Sequence, residues 1–180
     1  MSSGRVAAVA VATRQGHVVY ERFHEAFSEA EKAEVRGAFD QVAGPSSGAA
    51  AAAEDEELVG RFRNGRIVAI PAGELVFYAL GTGEYSELAL AEVLRVIIST
   101  YREAFKAPNL TDAVLFSNYA MTALVVDEVV REGIVELTDR LSIQKAIAMR
   151  LPYEPPVEKS KGTLGSLLSK KEKASSWQPA

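Results

Sequence analysis

The strongest hydrophobic patterning along the chain runs through residues 84–106, EYSELALAEVLRVIISTYREAFK. Leu90, Leu94, Ile97, Tyr101, Ala104 and Phe105 recur at steps of three and four, and Leu88, Ala91, Val93 and Ile98 form a second row beside them. Together they make one broad apolar stripe, which predicts a largely buried helix over Glu84–Lys106. At about 1.5 Å per residue this helix spans roughly 34 Å. Glu87, Arg95, Arg102 and Glu103 fall on its edges and solvent face, and Pro108 stops it. A stripe this broad needs a sheet or further helices to cover it.

The remaining patterns supply both. Arg5–Thr13 is a continuous apolar run, as expected of a strand covered on both faces. Arg14-Gln15-Gly16 reads as a turn, and His17–Phe23 as the partner strand, with Val19 and Phe23 on one face and Val18 and Tyr20 on the other. Ser28 followed by Glu31 is a capping box that opens a helix carrying Ala30, Ala33, Val35, Ala38, Phe39 and Val42, closed by Gly44-Pro45. Leu58–Arg63 and Arg66–Ile70 are short strands around an Asn64-Gly65 turn, and Pro71-Ala72-Gly73 turns again into Glu74–Leu80, densely apolar and central. After the long helix, Asn109 and Thr111 are candidate N-caps for a second one bearing Val114, Leu115, Tyr119, Leu124, Val125 and Val129, ended by Gly133. Ile134–Leu137 is extended, and Thr138 caps a last short helix over Asp139–Arg150.

The order β-β-α-β-β-β-α-α plus a short helix predicts an α/β (α+β) domain with a five-stranded, mostly antiparallel sheet. One helix covers one face and the two long helices cover the other. The domain spans residues 1–151. Within it, 44–57 (GPSSG, alanines, then EDEE) is a low-complexity mobile loop with no core residues, although its alanines suit a helical turn. Residues 152–180, rich in Lys and bearing Leu164, Leu167 and Leu168, read as a disordered tail.

Composition narrows the function classes. A chain of 180 residues buries a real core without disulfides, and it has no Cys, which suits a reducing compartment. A net charge of −4 is too mild to call for a nucleic-acid partner, and no apolar run approaches the ~20 residues of a membrane span. Arg5 with Val6–Ala12 faintly matches a signal peptide, but the turn and second strand that follow favour a buried strand. Asn109-Leu110-Thr111 is a glycosylation sequon, read here as helix-entry chemistry.

Candidate chemistry is sparse. Gly44-Pro45-Ser46-Ser47-Gly48 matches the spacing of a nucleophile elbow but lacks the strand before it and the helix after it. His17 and His24 are separated by an odd number of residues, so on one strand they face opposite sides and cannot share a metal. Gly81-Thr82-Gly83 follows a strand and opens a helix, but Ser86 stands where a dinucleotide loop needs its third glycine. Asp127 and Glu128 point about 100° apart on a helix, too far for a catalytic dyad. They fit either a solvated face or a carboxylate that meets a basic group on a partner. No cofactor, metal site or catalytic residue is expected.

Two stretches carry a family resemblance. GEYSELALAEVLRVI and ALVVDEVVREGIVELT resemble the small subunits of vesicle coat complexes: coatomer zeta, the clathrin adaptor sigma chains, and the small chain of the TSET/TPLATE complex, to which EYSELALAE is most similar. The family's run of a hydrophobic residue, Asp-Glu, two hydrophobic residues, Gly, an acidic residue and Thr falls here on Val126-Asp127-Glu128-Val129-Val130, Gly133, Glu136 and Thr138. The likeness covers about residues 5–151. It implies a longin-like (SNARE-like) fold and a non-enzymatic subunit that packs against a large solenoid subunit and other coat subunits. It implies a cytoplasmic chain, indirectly associated with coated membranes (plasma membrane, or Golgi and endosome), in endocytosis for a TPLATE-type complex. Tyr85, Glu87, Asp127, Glu128 and Gly133 are the partner-interface residues expected on this basis. A longin-type regulator of a small GTPase, and a small nucleotide-binding or hydrolytic enzyme using Gly81 or Ser46, are the alternatives.

Overall fold

The computed structural model describes residues 4–47 and 52–150, and the expected tail of 152–180 lies outside them. The elements in order are β1 (Arg5–Thr13), β2 (Val18–Phe23), α1 (Glu29–Ala43), β3 (Leu58–Phe62), β4 (Gly65–Ala72), β5 (Leu75–Thr82), α2 (Glu87–Ala104), α3 (Asp112–Ser117), α4 (Tyr119–Val129), β6 (Val130–Arg131), β7 (Ile134–Val135) and α5 (Arg140–Arg150). The main sheet has the order β2-β1-β5-β4-β3, antiparallel throughout. β5 is central, as its density of apolar residues predicts.

Two cores result. On one face Val35, Phe39 and Ala43 of α1 pack on Ala8, Ala10, Ala12, Ile67, Ala69, Val76 and Tyr78. On the other, Leu90, Leu94, Ile97 and Tyr101 of α2 pack on Val9, Val11, Val68, Ile70 and Phe77, with Leu115, Val125, Val129 and Ile143 of the later helices closing the layer. The alternation of small alanines and larger valines along β1 sorts its two faces: alanines lie under α1 and valines under α2.

Several boundaries differ from expectation, each for a local reason. α2 begins at Glu87 rather than Glu84, because the Ser86 hydroxyl accepts from Ala89 N–H at 3.3 Å and caps it. The second long helix is broken into α3 and α4. Asn118 donates its side-chain amide to Val114 O at 2.8 Å and takes φ −122° and ψ 32°, so an Asx side chain competes with the helical ladder. Thr111, not Asn109, caps α3. Asp139, not Thr138, opens α5: its carboxylate accepts from Ser142 N–H at 2.9 Å and from the Ser142 hydroxyl at 2.7 Å. In β2, a bulge opposite Val11 and Ala12 sends Val19 and Tyr20 into the same core, so the simple alternation fails there.

The turns also shift. The β3–β4 loop is Arg63-Asn64, one residue early, and Arg63 takes φ 53° while its guanidinium pairs with Glu31 and Glu34 of α1 at 3.1 and 2.9 Å. Gly65 sits in the strand instead, because a Cβ there would meet Leu80 at 2.9 Å and the Gly81 carbonyl at 3.0 Å. Pro71 and Ala72 belong to β4, leaving Gly73-Glu74 as the turn into β5. Gly133 does not end a helix. With Glu132 it forms the two-residue β6–β7 turn, both at positive φ (51° and 81°).

The stripe of α2 is core as predicted: Leu94 and Ile97 are fully buried. Truncating either to alanine should cost about 2–5 kcal/mol in a denaturant titration, the usual range for a buried aliphatic. A cost below about 0.5 kcal/mol, typical of surface positions, would remove α2 from the centre of the core.

Candidate functional site

The five residues expected at a partner interface lie on two junctions. Tyr85 precedes α2 and Glu87 opens it. The Tyr85 hydroxyl accepts from Val135 N–H of β7 at 3.1 Å, and Glu87 pairs with Arg66 of β4 at 3.1 Å. Arg66 also donates to the Tyr85 carbonyl at 3.3 Å, so one guanidinium holds both residues. Gly133 reaches the same region from the β6–β7 turn. Its carbonyl accepts from Val6 N–H at 2.8 Å, where the β1–β5 register shifts between Val6 and Ala8. A Cβ on Gly133 would lie 3.1 Å from the Val6 carbonyl, so this close approach as well as its φ favours glycine.

Asp127 and Glu128 diverge, as their helical spacing requires. Asp127 stands at the rim of α4 and pairs with Arg22 of β2 at 3.5 Å. Glu128 is 3% exposed, which rules out a solvated face for it; Arg131, one turn on, reaches its carboxylate at 3.4 Å and Glu136 at 3.1 Å. The Asp-Glu run and the following Gly-containing turn therefore form one local unit that fastens α4 and the β6–β7 hairpin to the sheet. Side-chain exposure also singles out neighbours that the sequence reading left aside. Leu88 is 72% exposed beside Glu87, and Ile134 is 52% exposed beside Gly133. The signal for them was present: Leu88 lies at the edge of the α2 stripe, and Ile134 alternates with the inward Val135.

His24 closes this region from the β2 side. Its Cβ would lie 3.4 Å from a Cβ on Gly133, and its Nε2 is buried with no hydrogen bond among the described residues. Burial first, then the Arg22 guanidinium, pushes the imidazole below its ordinary value of 6.5, with Asp127 acting the other way. The nearby Tyr20 phenol is pushed up to about 12, by burial and then by Asp127.

The enzyme-like motifs resolve into structure. The Ser46 hydroxyl donates to the Asp40 carboxylate and Ser47 to the Gly44 carbonyl at 2.7 Å, within a 3-10 turn after α1. Gly81 lies inside β5, where a Cβ would strike the Leu90 side chain at 2.8 Å; glycine lets α2 sit close on the sheet and does not cradle a phosphate. Among the described residues no cluster of His, Asp or Glu could hold a metal ion, and no helix is long and apolar enough to cross a membrane.

The family model described as clathrin adaptor complex small chain matches residues 5–152. A chain in the homology model of the full-length AP-3 complex in a stretched open conformation is similar at TM-score 0.55 and 15% identity, over 80% of this chain and 92% of that one. At that identity the likeness is one of fold, and the mixed architecture, a five-stranded antiparallel sheet between helices, is the longin-like one. Comparison with curated proteins gives no match.

Two predictions follow from these contacts. Glu128→Ala should lower stability by about 1–3 kcal/mol, as loss of a buried polar anchor does. Asp127→Ala should stay within about 1 kcal/mol, as exposed pairs do; equal costs in chemical denaturation would contradict this division. For His24 the folded state binds the proton less readily than the unfolded chain. Its stabilising contribution is complete above pH 6.5 and is lost progressively as pH falls from that value through the lower folded-state one. His24→Gln should therefore flatten the fall in melting temperature between pH 7 and about pH 5; an unchanged slope would exclude His24 as its source.

Proposed function

Because the chain belongs to the clathrin adaptor complex small-chain family, we propose that it is the small chain of a TPLATE/TSET-type coat complex, acting in endocytosis at the plasma membrane. Membership makes it a non-enzymatic structural subunit of an adaptor-type complex, peripheral on coated membranes. The family match across residues 5–152 supports the coarser part of this reading, a small chain of an adaptor-type complex. The segment EYSELALAE at 84–92 supports the TPLATE-type assignment over a clathrin adaptor sigma chain or coatomer zeta. In this reading the chain packs against the helical solenoid of a large subunit and contacts further coat subunits.

The interface we propose for the large subunit is the end of the domain that carries Tyr85, Glu87, Glu128 and Gly133, with Asp127 at its rim. The intramolecular bonds of these residues set the shape of that end, and exposed Leu88 and Ile134 supply apolar contact area. Affinity purification of the full chain from its native cells, followed by mass spectrometry, tests both levels. Large and medium subunits of a TPLATE-type complex should co-purify. Recovery of coatomer or clathrin adaptor subunits instead would move the chain to a different coat, and a nucleotide-dependent GTPase as sole partner would overturn the coat reading. Leu88→Ser combined with Ile134→Ser should reduce recovery of the large subunit several-fold while changing stability by no more than about 0.5 kcal/mol, as exposed positions allow. Full recovery with this pair would place the interface on another face.

A further inference from the structure

The α1 face of the sheet holds a cavity of about 100 Å³, between the C-terminal half of the helix and strands β1 and β2. It lies across the sheet from α2, and at the opposite end of β1 from the contact of Val6 with Gly133. Ala10 and Ala12 of β1 form its floor. Phe39 of α1 and Tyr78 of β5 wall it, with their rings stacked at 5.0 Å. Close packing sets large side chains against small ones. Here the sheet offers alanines and the helix ends in Ala43 and Gly44, so small faces small and a gap is left.

The polar groups around this gap are not balanced. Tyr78 is 3% exposed, and its hydroxyl makes no hydrogen bond to a described residue, although a buried phenol ordinarily finds a partner. Burial first, then the Asp40 carboxylate, pushes its pKa up, so it stands as a neutral phenol with lone pairs to offer. Three charged side chains line the cavity: Glu21, Arg36 and Asp40. Two of them cancel, since the Arg36 guanidinium donates to both Glu21 carboxylate oxygens at 2.9 and 2.5 Å. Asp40 has no basic partner among the described residues; only the Ser46 hydroxyl donates to its Oδ2. Its Oδ1 lies over Gly44, where a Cβ would sit 2.0 Å away. Asp40 also stands in the last turn of α1, where the helix carbonyls already carry partial negative charge, and that turn contains no basic residue. The cavity therefore has an apolar floor and one uncancelled negative charge.

We propose that this cavity is an anchor site for a lysine side chain of a partner protein. The lysine stem lies on Ala10, Ala12 and Phe39, and its ammonium donates to Asp40 Oδ1 and Tyr78 Oη. An ammonium is a compact charge with rotatable donors and suits two separate acceptors. A guanidinium fork needs a carboxylate it can grip with two bonds, and Arg36 already occupies Glu21 in that way. Val18, at the rim and 45% exposed, supplies apolar area for the residues that flank lysine in a protein chain. A free amine would gain none of that contact. The site stands on the α1 face alone and holds whichever coat the chain serves.

The test uses the full chain and two blocked peptides, Ac-Leu-Lys-Leu-NH2 and its counterpart with Nε-acetyl-lysine, followed through the methyl resonances of Ala10 and Ala12. The lysine peptide should shift both in a saturable way and leave Ala79, on the other face of β5, unmoved. Acetylation removes the charge and keeps the stem, so it should weaken binding at least about tenfold, as loss of a charge-assisted hydrogen bond does. D40N should weaken the lysine peptide by a similar factor, and Y78F, which keeps the ring, by about threefold. No saturable shift, equal binding of the acetylated peptide, or binding indifferent to D40N overturns the proposal. A12L fills the floor without touching a charge and should abolish the shift of Ala10; a folded A12L that still binds would place the peptide elsewhere. Butylammonium separates the two sources of an ammonium. It should bind at least about tenfold more weakly than the peptide, since it makes no contact at Val18; equal affinity would make a free amine the ligand and overturn the assignment to a partner protein.

Discussion

Strand β5 is buried on both faces along nearly its whole length, and this constraint organises the molecule. Its alternating residues feed two cores: Val76, Tyr78 and Leu80 meet α1, while Leu75, Phe77 and Ala79 meet the α2 side. A strand in that position needs strands on both edges to satisfy its backbone, and β1 and β4 provide them. It also needs helices on both faces, because neither row of side chains tolerates water. Gly81 completes the arrangement at the strand's end. Without a Cβ there, Leu90 settles directly against the sheet and the first turn of α2 lies close. The rest of the chain is fastened to this centre, through Tyr101, whose buried hydroxyl donates to the Thr122 carbonyl at 2.7 Å, and through the β6–β7 hairpin on Val6.

What could be read from the sequence follows from the same physics. The stripe of α2, the apolar runs of β1 and β5 and the Ser28–Glu31 capping box are local signals with one dominant cause each, and the structure bears them out. The layered arrangement followed because strands apolar on both faces leave no other covering. The errors arise where two local rules compete and a distant contact decides. Asn64-Gly65 is a good hairpin turn, but Leu80 needs Gly65 in the strand and α1 fixes Arg63, so the turn moves back one residue. The periodicity of 112–129 suits one helix, but Asn118 sits at its middle and offers its side chain to the backbone. No periodicity encodes the place of residues 52–57, because their contacts are polar, long-range and outside both cores.

The candidate site was legible in part. The resemblance drew attention to Tyr85, Glu87, Asp127, Glu128 and Gly133, and the structure brings most of them to one end of the domain. Sequence spacing showed that Asp127 and Glu128 diverge, but not which one turns inward. That choice depends on where α4 meets the sheet after the break at Asn118, a displacement that sequence periodicity did not contain. Exposed Phe116 and Tyr119 flank the break, with Tyr119 packed edge-on against Tyr20.

The charge pattern separates two kinds of contact on this surface. Arg14, Arg22, Arg36, Arg63, Arg66, Arg95, Arg102 and Arg131 are all ion-paired within the chain. A surface already neutralised in this way offers a partner little long-range attraction, and the net charge of −4 adds only a mild field. Durable assembly must then draw on apolar area, which Leu88, Phe116, Ile134, Leu141 and Met149 leave exposed. The exposed carboxylates of Glu54, Asp55 and Glu57 over Arg14, Arg95 and Arg102 are the opposite case, with charge and almost no apolar burial. Contacts of the first kind persist when salt rises, and contacts of the second kind loosen.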